Sequence, residues 1–88
     1  MDNDIELLMK LRGKKFSGRI QHWGVYDYFG KDVIRGYIFD SPYKDKDDKY
    51  RDGNTIRTSF IERFYNDVSI VETRNSFYIL GEKDQDFK

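Results

Sequence analysis

Two short runs, Arg57-Thr58-Ser59 and Arg74-Asn75-Ser76, each set a guanidinium beside small hydrogen-bonding side chains. Guanidinium forks grip carboxylate or phosphate oxygens in pairs, and hydroxyl and amide groups supply further bonds. Brought together, Arg57, Thr58, Ser59, Arg74, Asn75 and Ser76 form a candidate pocket for a small anion or a nucleotide, with a tyrosine stacked over it. The same residues also have a purely architectural use. Thr58-Ser59 and Asn75-Ser76 on neighbouring strands or turns bond each other's backbone and pin the register of a sheet. A second set is aromatic and basic. Trp23, Tyr26 and Tyr28, with Arg19 and Arg35 nearby, offer flat faces and cations that stack bases or hold phosphates. Tyr and Arg equally dominate the binding hot spots between proteins. Trp23, Tyr26, Tyr28, Tyr37, Arg57 and Arg74 are accordingly the candidate partner-binding residues.

Catalytic and metal chemistry find little footing. His22 is the sole histidine, and no nucleophile-elbow pattern surrounds Ser17, Ser59 or Ser76. With no cysteine, a metal site would need carboxylates to supply nearly every ligand. Asp45-Lys46-Asp47-Asp48 opens like a calcium loop, yet Tyr50 stands where the sharp-turn Gly belongs and Ile56 where the bidentate Glu belongs. The expectation is a non-enzymatic protein with no metal and no cofactor. Sixteen Lys and Arg balance sixteen Asp and Glu, which removes the broad electrostatic attraction of most nucleic-acid binders. A local basic face survives only if the acids gather elsewhere, in residues 40–52 and in the tail. The absence of cysteine fits a reducing compartment, and no apolar run approaches the ~20 residues of a membrane span. A cytoplasmic protein with no membrane association is expected.

The elements that must position these residues are mostly strands. Fifteen aromatic residues (seven Phe, seven Tyr, one Trp) and no Ala favour a half-buried pleated sheet over helix. Eighty-eight residues make one domain, 1–88. Residues 3–12 read as a short amphipathic helix capped by Asn3 with Glu6, with Ile5, Leu8 and Met9 on one face, Leu7 and Leu11 adjoining, and Gly13 ending it. A β core spans residues 15–81. Phe16, Gly18 and Ile20 share one side of the first strand, which slips register at His22-Trp23-Gly24, as a bulge would cause. A turn at Phe29-Gly30 leads into Val33–Phe39, where Ile34, Gly36 and Ile38 face one way. Residues 41–54 hold the only Pro and eight charged residues in fourteen, a solvated loop. Thr55 to Tyr65 is one strand-like run, Asn66-Asp67 a two-residue hairpin turn, and Val68–Glu72 and Phe77–Leu80 the last strands. Residues 82–88 are a frayed tail. The fold class is mainly β (α+β), with the helix packed on a five-stranded antiparallel, SH3-like or OB-like small barrel. Val33–Phe39, if left at an edge, could pair with its copy in a homodimer.

Residues 52–61 carry a turn followed by Ile56-x-Thr58-Ser59-x-Ile61, and residues 73–80 carry Thr73-x-Asn75-Ser76-x-Tyr78-x-Leu80. Together they resemble a pattern in small phage and prophage accessory proteins. That resemblance covers about thirty of the eighty-eight residues and implies an accessory product of the kind that includes inhibitors of bacterial immunity, with no catalytic residues. The expected function is binding and inhibition of a host defence or regulatory protein in the bacterial cytoplasm, an anti-CRISPR-like role. The alternatives are a small-nucleotide sponge and a single-stranded nucleic-acid-binding barrel.

Overall fold

The computed structural model describes residues 3–84. The side chains of residues 3 and 4, and with them the expected Asn3–Glu6 capping box, lie outside the description, as do residues 85–88 of the tail. Helix α1 (Asn3–Arg12) is followed by β1 (Lys15–Tyr28), β2 (Lys31–Phe39), β3 (Thr55–Arg57), β4 (Ile61–Tyr65), β5 (Ile70–Thr73) and β6 (Ser76–Leu80). These strands form one sheet in the order β3-β2-β1-β6-β5-β4. The β class and the N-terminal helix agree with the sequence. The five-stranded antiparallel barrel does not: among the described residues there are six strands, β1 and β6 run parallel, and the sheet is not closed.

The cause is the segment 58–60, read as part of one long strand. Thr58 N–H donates to Ile34 O at 2.9 Å, and Thr58 Oγ1 accepts from Ile34 N–H at 3.0 Å, so a side chain takes over the ladder where β3 stops. Two residues later Phe60 O accepts from Arg74 N–H at 2.8 Å, on the β5–β6 turn. The chain has thus crossed from one outer strand to the other over a link that spans at most about 14 Å. The sheet must curl until β3 and β4 converge, although they share no ladder. The slot beside β1 is then filled by the last strand, which arrives parallel. β2 lies between β1 and β3, so it is an interior strand and not the free edge the homodimer reading requires.

Inside the curl Ile20, Ile34, Ile38, Ile56, Val71, Tyr78 and Leu80 form the main core. The other face of β5 and β6 meets the helix, where Ile5 and Met9 pack on Ile70 and Phe77. Each such apolar side chain contributes about 1.5–3 kcal/mol when buried, which holds a helix too short to stand alone. Leu7 and Leu11 remain exposed. Gly13 ends α1 in the left-handed region at φ +66°, with Lys14 N–H on Met9 O and Gly13 N–H on Lys10 O, the paired bonds of a Schellman stop.

β1 carries two irregularities. The expected one separates Gln21 from Gly24 against β2, with His22 at φ +50°. The other lies between Phe16 and Gly18 against β6, and it sends Phe16 to the helix side while Ile20 enters the curl, correcting the shared face read from the sequence. Asn66–Val68 forms a 3-10 turn ending in left-handed Ser69, so β5 starts two residues later than expected. Tail residues 82–84 are hydrogen-bonded rather than frayed: Glu82 O accepts from Trp23 N–H and Asp84 N–H donates to Trp23 O. No helix among the described residues is long and apolar enough to cross a membrane.

Candidate groove on the outer sheet face

Side chains alternate along β2, so Ile34, Gly36 and Ile38 enter the core while Lys31, Val33, Arg35 and Tyr37 point outward. The register sets Tyr26 opposite Val33, Tyr28 opposite Lys31 and Arg57 opposite Arg35. Like charges directly opposed across a ladder repel, and here each guanidinium lies over an aromatic face instead of a carboxylate. Arg57 sits 4.0 Å from the Tyr28 ring centre, Arg35 5.1 Å from that of Tyr26, and Lys31 Nζ 5.1 Å from that of Phe60. Val33 faces outward yet is only 2 % exposed, because these side chains cover it and make it the floor of a groove.

Two adjoining cavities form the groove. One, of about 360 Å³, is lined by Tyr28, Arg57, Phe60, Arg74 and Asn75, with Thr58 and Ser59. The other, of about 330 Å³, shares Tyr28, Val33 and Arg57 and adds Tyr26, Asp27 and Arg35. Among the described residues no carboxylate lies within 4.0 Å of Lys31, Arg35, Arg57 or Arg74, whereas Arg12, Lys14, Arg19, Lys44 and Arg51 all form ion pairs. Four cations on one face are thus left without a neutralising acid in contact.

The hydroxyl groups are arranged differently. Ser59 Oγ donates to Thr73 Oγ1 at 3.0 Å and accepts from Asn75 N–H at 3.1 Å. Thr73 Oγ1 in turn donates to Ser76 O and accepts from Ser76 N–H. Thr58 Oγ1 donates to Ser59 O at 2.8 Å. Thr58, Thr73 and Ser76 are buried, so these side chains hold the 58–60 crossing against the 73–76 turn. Their bonds fix the spacing of Arg57 and Arg74, and the two guanidiniums and the exposed Asn75 remain for a ligand.

Five of the six pocket residues read from the sequence therefore meet in one cavity. Ser76 turns to a separate cavity of about 430 Å³ beneath Tyr43 and Tyr50, where Ser17 Oγ donates to Ser76 Oγ at 2.8 Å. There burial pushes the Tyr78 phenol above its ordinary pKa, keeping it protonated. Of the partner-binding candidates, Tyr26, Tyr28, Arg57 and Arg74 line the groove and Tyr37 stands exposed farther along the same face. Trp23 lies apart, its indole N–H donated to Gly81 O at 2.9 Å and its ring packed against the interior core. His22 is exposed at the bulge, 6.3 Å edge-on to Tyr37. Sequence reasoning missed Phe60, Val33 and Lys31 as parts of the site. Val33 and Lys31 were available from the two-residue period of β2, whereas Phe60 was hidden by the unforeseen break after Arg57. Comparison with protein-family models, curated proteins and solved structures finds no match.

Proposed function

We propose that this protein is a non-enzymatic binding module whose outer groove takes a nucleotide. The observation that carries this reading is the meeting of Arg57, Arg74, Asn75 and Tyr28 around one cavity, with no carboxylate among the described residues within 4.0 Å of either guanidinium. Tyr28 and Phe60 present rings for a base, and the guanidiniums sit where phosphate oxygens can be gripped by charge-assisted hydrogen bonds. Arg57 is exposed and opposes Arg35, so its removal relieves repulsion and leaves the fold intact. Titration calorimetry with adenosine and thymidine monophosphates is expected to give saturable binding that weakens about tenfold or more in Arg57→Ala and in Arg74→Ala. Binding that is absent, or that both variants retain in full, overturns the proposal.

A second reading, an accessory protein of phage type that binds and inhibits a host defence or regulatory protein, is favoured by Tyr37, exposed on the same face beyond the cavities. The two readings part on Tyr37→Ala. That change leaves nucleotide affinity untouched under the first and abolishes stoichiometric inhibition of a host protein under the second.

A further inference from the structure

We infer that the groove's ligand is a single-stranded nucleic acid, and that Phe29 at the tip of the β1–β2 hairpin is a stacking platform for a base beyond the groove. This rests on the nucleotide reading of the groove and extends it to a polymer. Phe29 and Gly30 form a two-residue turn in which both residues are left-handed, at φ +54° and +85°. Such turns favour Asn followed by Gly, because a bulky side chain at positive φ is strained. Phe29 is also 89 % exposed, so burial returns nothing for that strain. Its main ring contact is edge-on to Tyr28 at 4.6 Å. An aromatic ring placed where local backbone chemistry disfavours it, and where the core gains nothing, points to contact with something outside the chain.

The position of the tip says what that something is. Tyr28 lines both cavities, so Phe29 continues the row of rings formed by Tyr26, Tyr28 and Phe60. Arg35, Arg57, Lys31 and Arg74 are interleaved with those rings. Alternating flat faces and cations match the alternating bases and phosphates of a strand. Each cavity has the volume of a site for one small ligand, and two in line accommodate successive nucleotides. Asp27, Asp32 and Glu62 border the groove's ends; Asp27 is engaged in accepting Gly30 N–H at 2.7 Å, and Glu62 accepts from Lys14 at 2.6 Å.

The test is fluorescence anisotropy with labelled oligothymidylate and oligouridylate of about ten nucleotides, long enough to cover a small single-strand site. Thymidine monophosphate is the competitor, and wild type is set against Phe29→Asn. The oligomers are expected to bind at least about tenfold more tightly than the mononucleotide, and Phe29→Asn is expected to lose about fivefold to a hundredfold of that affinity. The variant keeps the mononucleotide affinity and melts at a higher temperature, since Asn suits the turn. The ratio between the two oligomers assigns the strand to DNA or RNA. Full oligomer affinity in Phe29→Asn, or oligomers no tighter than the mononucleotide, overturns the inference while the nucleotide groove stands. If neither oligomer nor mononucleotide binds, both fall. Equal binding of a polyglutamate peptide of matched length overturns the assignment to nucleic acid.

Discussion

Glu72 is a charged side chain only 2 % exposed, and three donors converge on it. Lys14 Nζ donates to Oε2 at 2.6 Å, Arg12 Nε lies 3.2 Å from Oε1, and Tyr65 Oη donates to Oε1 at 2.9 Å. Lys14 also reaches Glu62 at 2.6 Å and Thr73 O at 2.9 Å. Burial works against the Lys14 charge, but its bonds to Glu62 and Glu72 outweigh it and raise the pKa. The same Lys14 bond lowers that of Glu62. Removing one member of a buried ion cluster leaves the others uncompensated, at a cost of about 3–5 kcal/mol. Glu72→Gln is expected to lower the melting temperature by more than about 10 °C, read by thermal denaturation, with a small change overturning the role assigned to the carboxylate. None of this was legible at residue 72. Val71-Glu72-Thr73 looks like an ordinary half-exposed strand, and the cations that allow Glu72 to be buried arrive from the end of the helix, some sixty positions away in the chain.

At the scale of elements, the β1–β2 hairpin depends on a close approach that only Gly36 permits. It faces the core opposite the bulge at Gln21–Gly24, and a Cβ there would fall 2.6 Å from Ile20 Cγ2, 2.8 Å from Gln21 O and 3.1 Å from Trp23 Cα. Two of those neighbours are backbone, which cannot swing aside. Gly36→Ala is expected to destabilise the protein by about 1–3 kcal/mol, measured by chemical denaturation, and an unchanged midpoint would show the bulge to be more plastic than its packing implies. This part of the fold was readable in advance. The parity change around His22-Trp23-Gly24, the apolar alternation of β2 and the stop at Gly13 are local signals, and each element they define is present. Pairing order was not readable. Ile56, Thr58 and Phe60 keep a strand-like phase, and nothing local says that Thr58 turns in to bond Ile34 and ends β3. Once that break is missed, a meander is the natural expectation and the parallel β1–β6 pair cannot be foreseen. The site was half legible for the same reason. Arg57 and Arg74 stand out by type, but their meeting depends on the curl that the crossing enforces.

For the whole molecule, a formal net charge of zero weighs against nucleic-acid binding only if the charges are evenly mixed, and folding sorts them. Glu62 and Glu72 are taken up by Arg12 and Lys14, Asp40 by Arg19, Asp48 by Arg51 and Asp52 by Lys44. Arg35, Arg57 and Arg74 line the groove and Lys31 stands beside it over Phe60, and among the described residues no carboxylate lies within 4.0 Å of any of the four. At 0.1 M salt the Debye length is about 10 Å, so acids on the far side of the sheet are screened from a ligand in the groove. A strand there meets four cations, with Asp27, Asp32 and Glu62 at the groove's margins. Each phosphate neutralised releases counterions, and for single strands log K falls with log salt at a slope of about −0.7 per phosphate contact. Two to four contacts by these side chains predict a slope of about −1.5 to −3 for oligothymidylate, and Arg57→Ala is expected to make it shallower by about 0.7. Anisotropy titrations across a salt series measure both quantities. A slope near zero would mean that the groove recognises its ligand through its rings and shape alone, and that the four cations serve to keep the outer face of the sheet from pairing with acidic segments of its own chain.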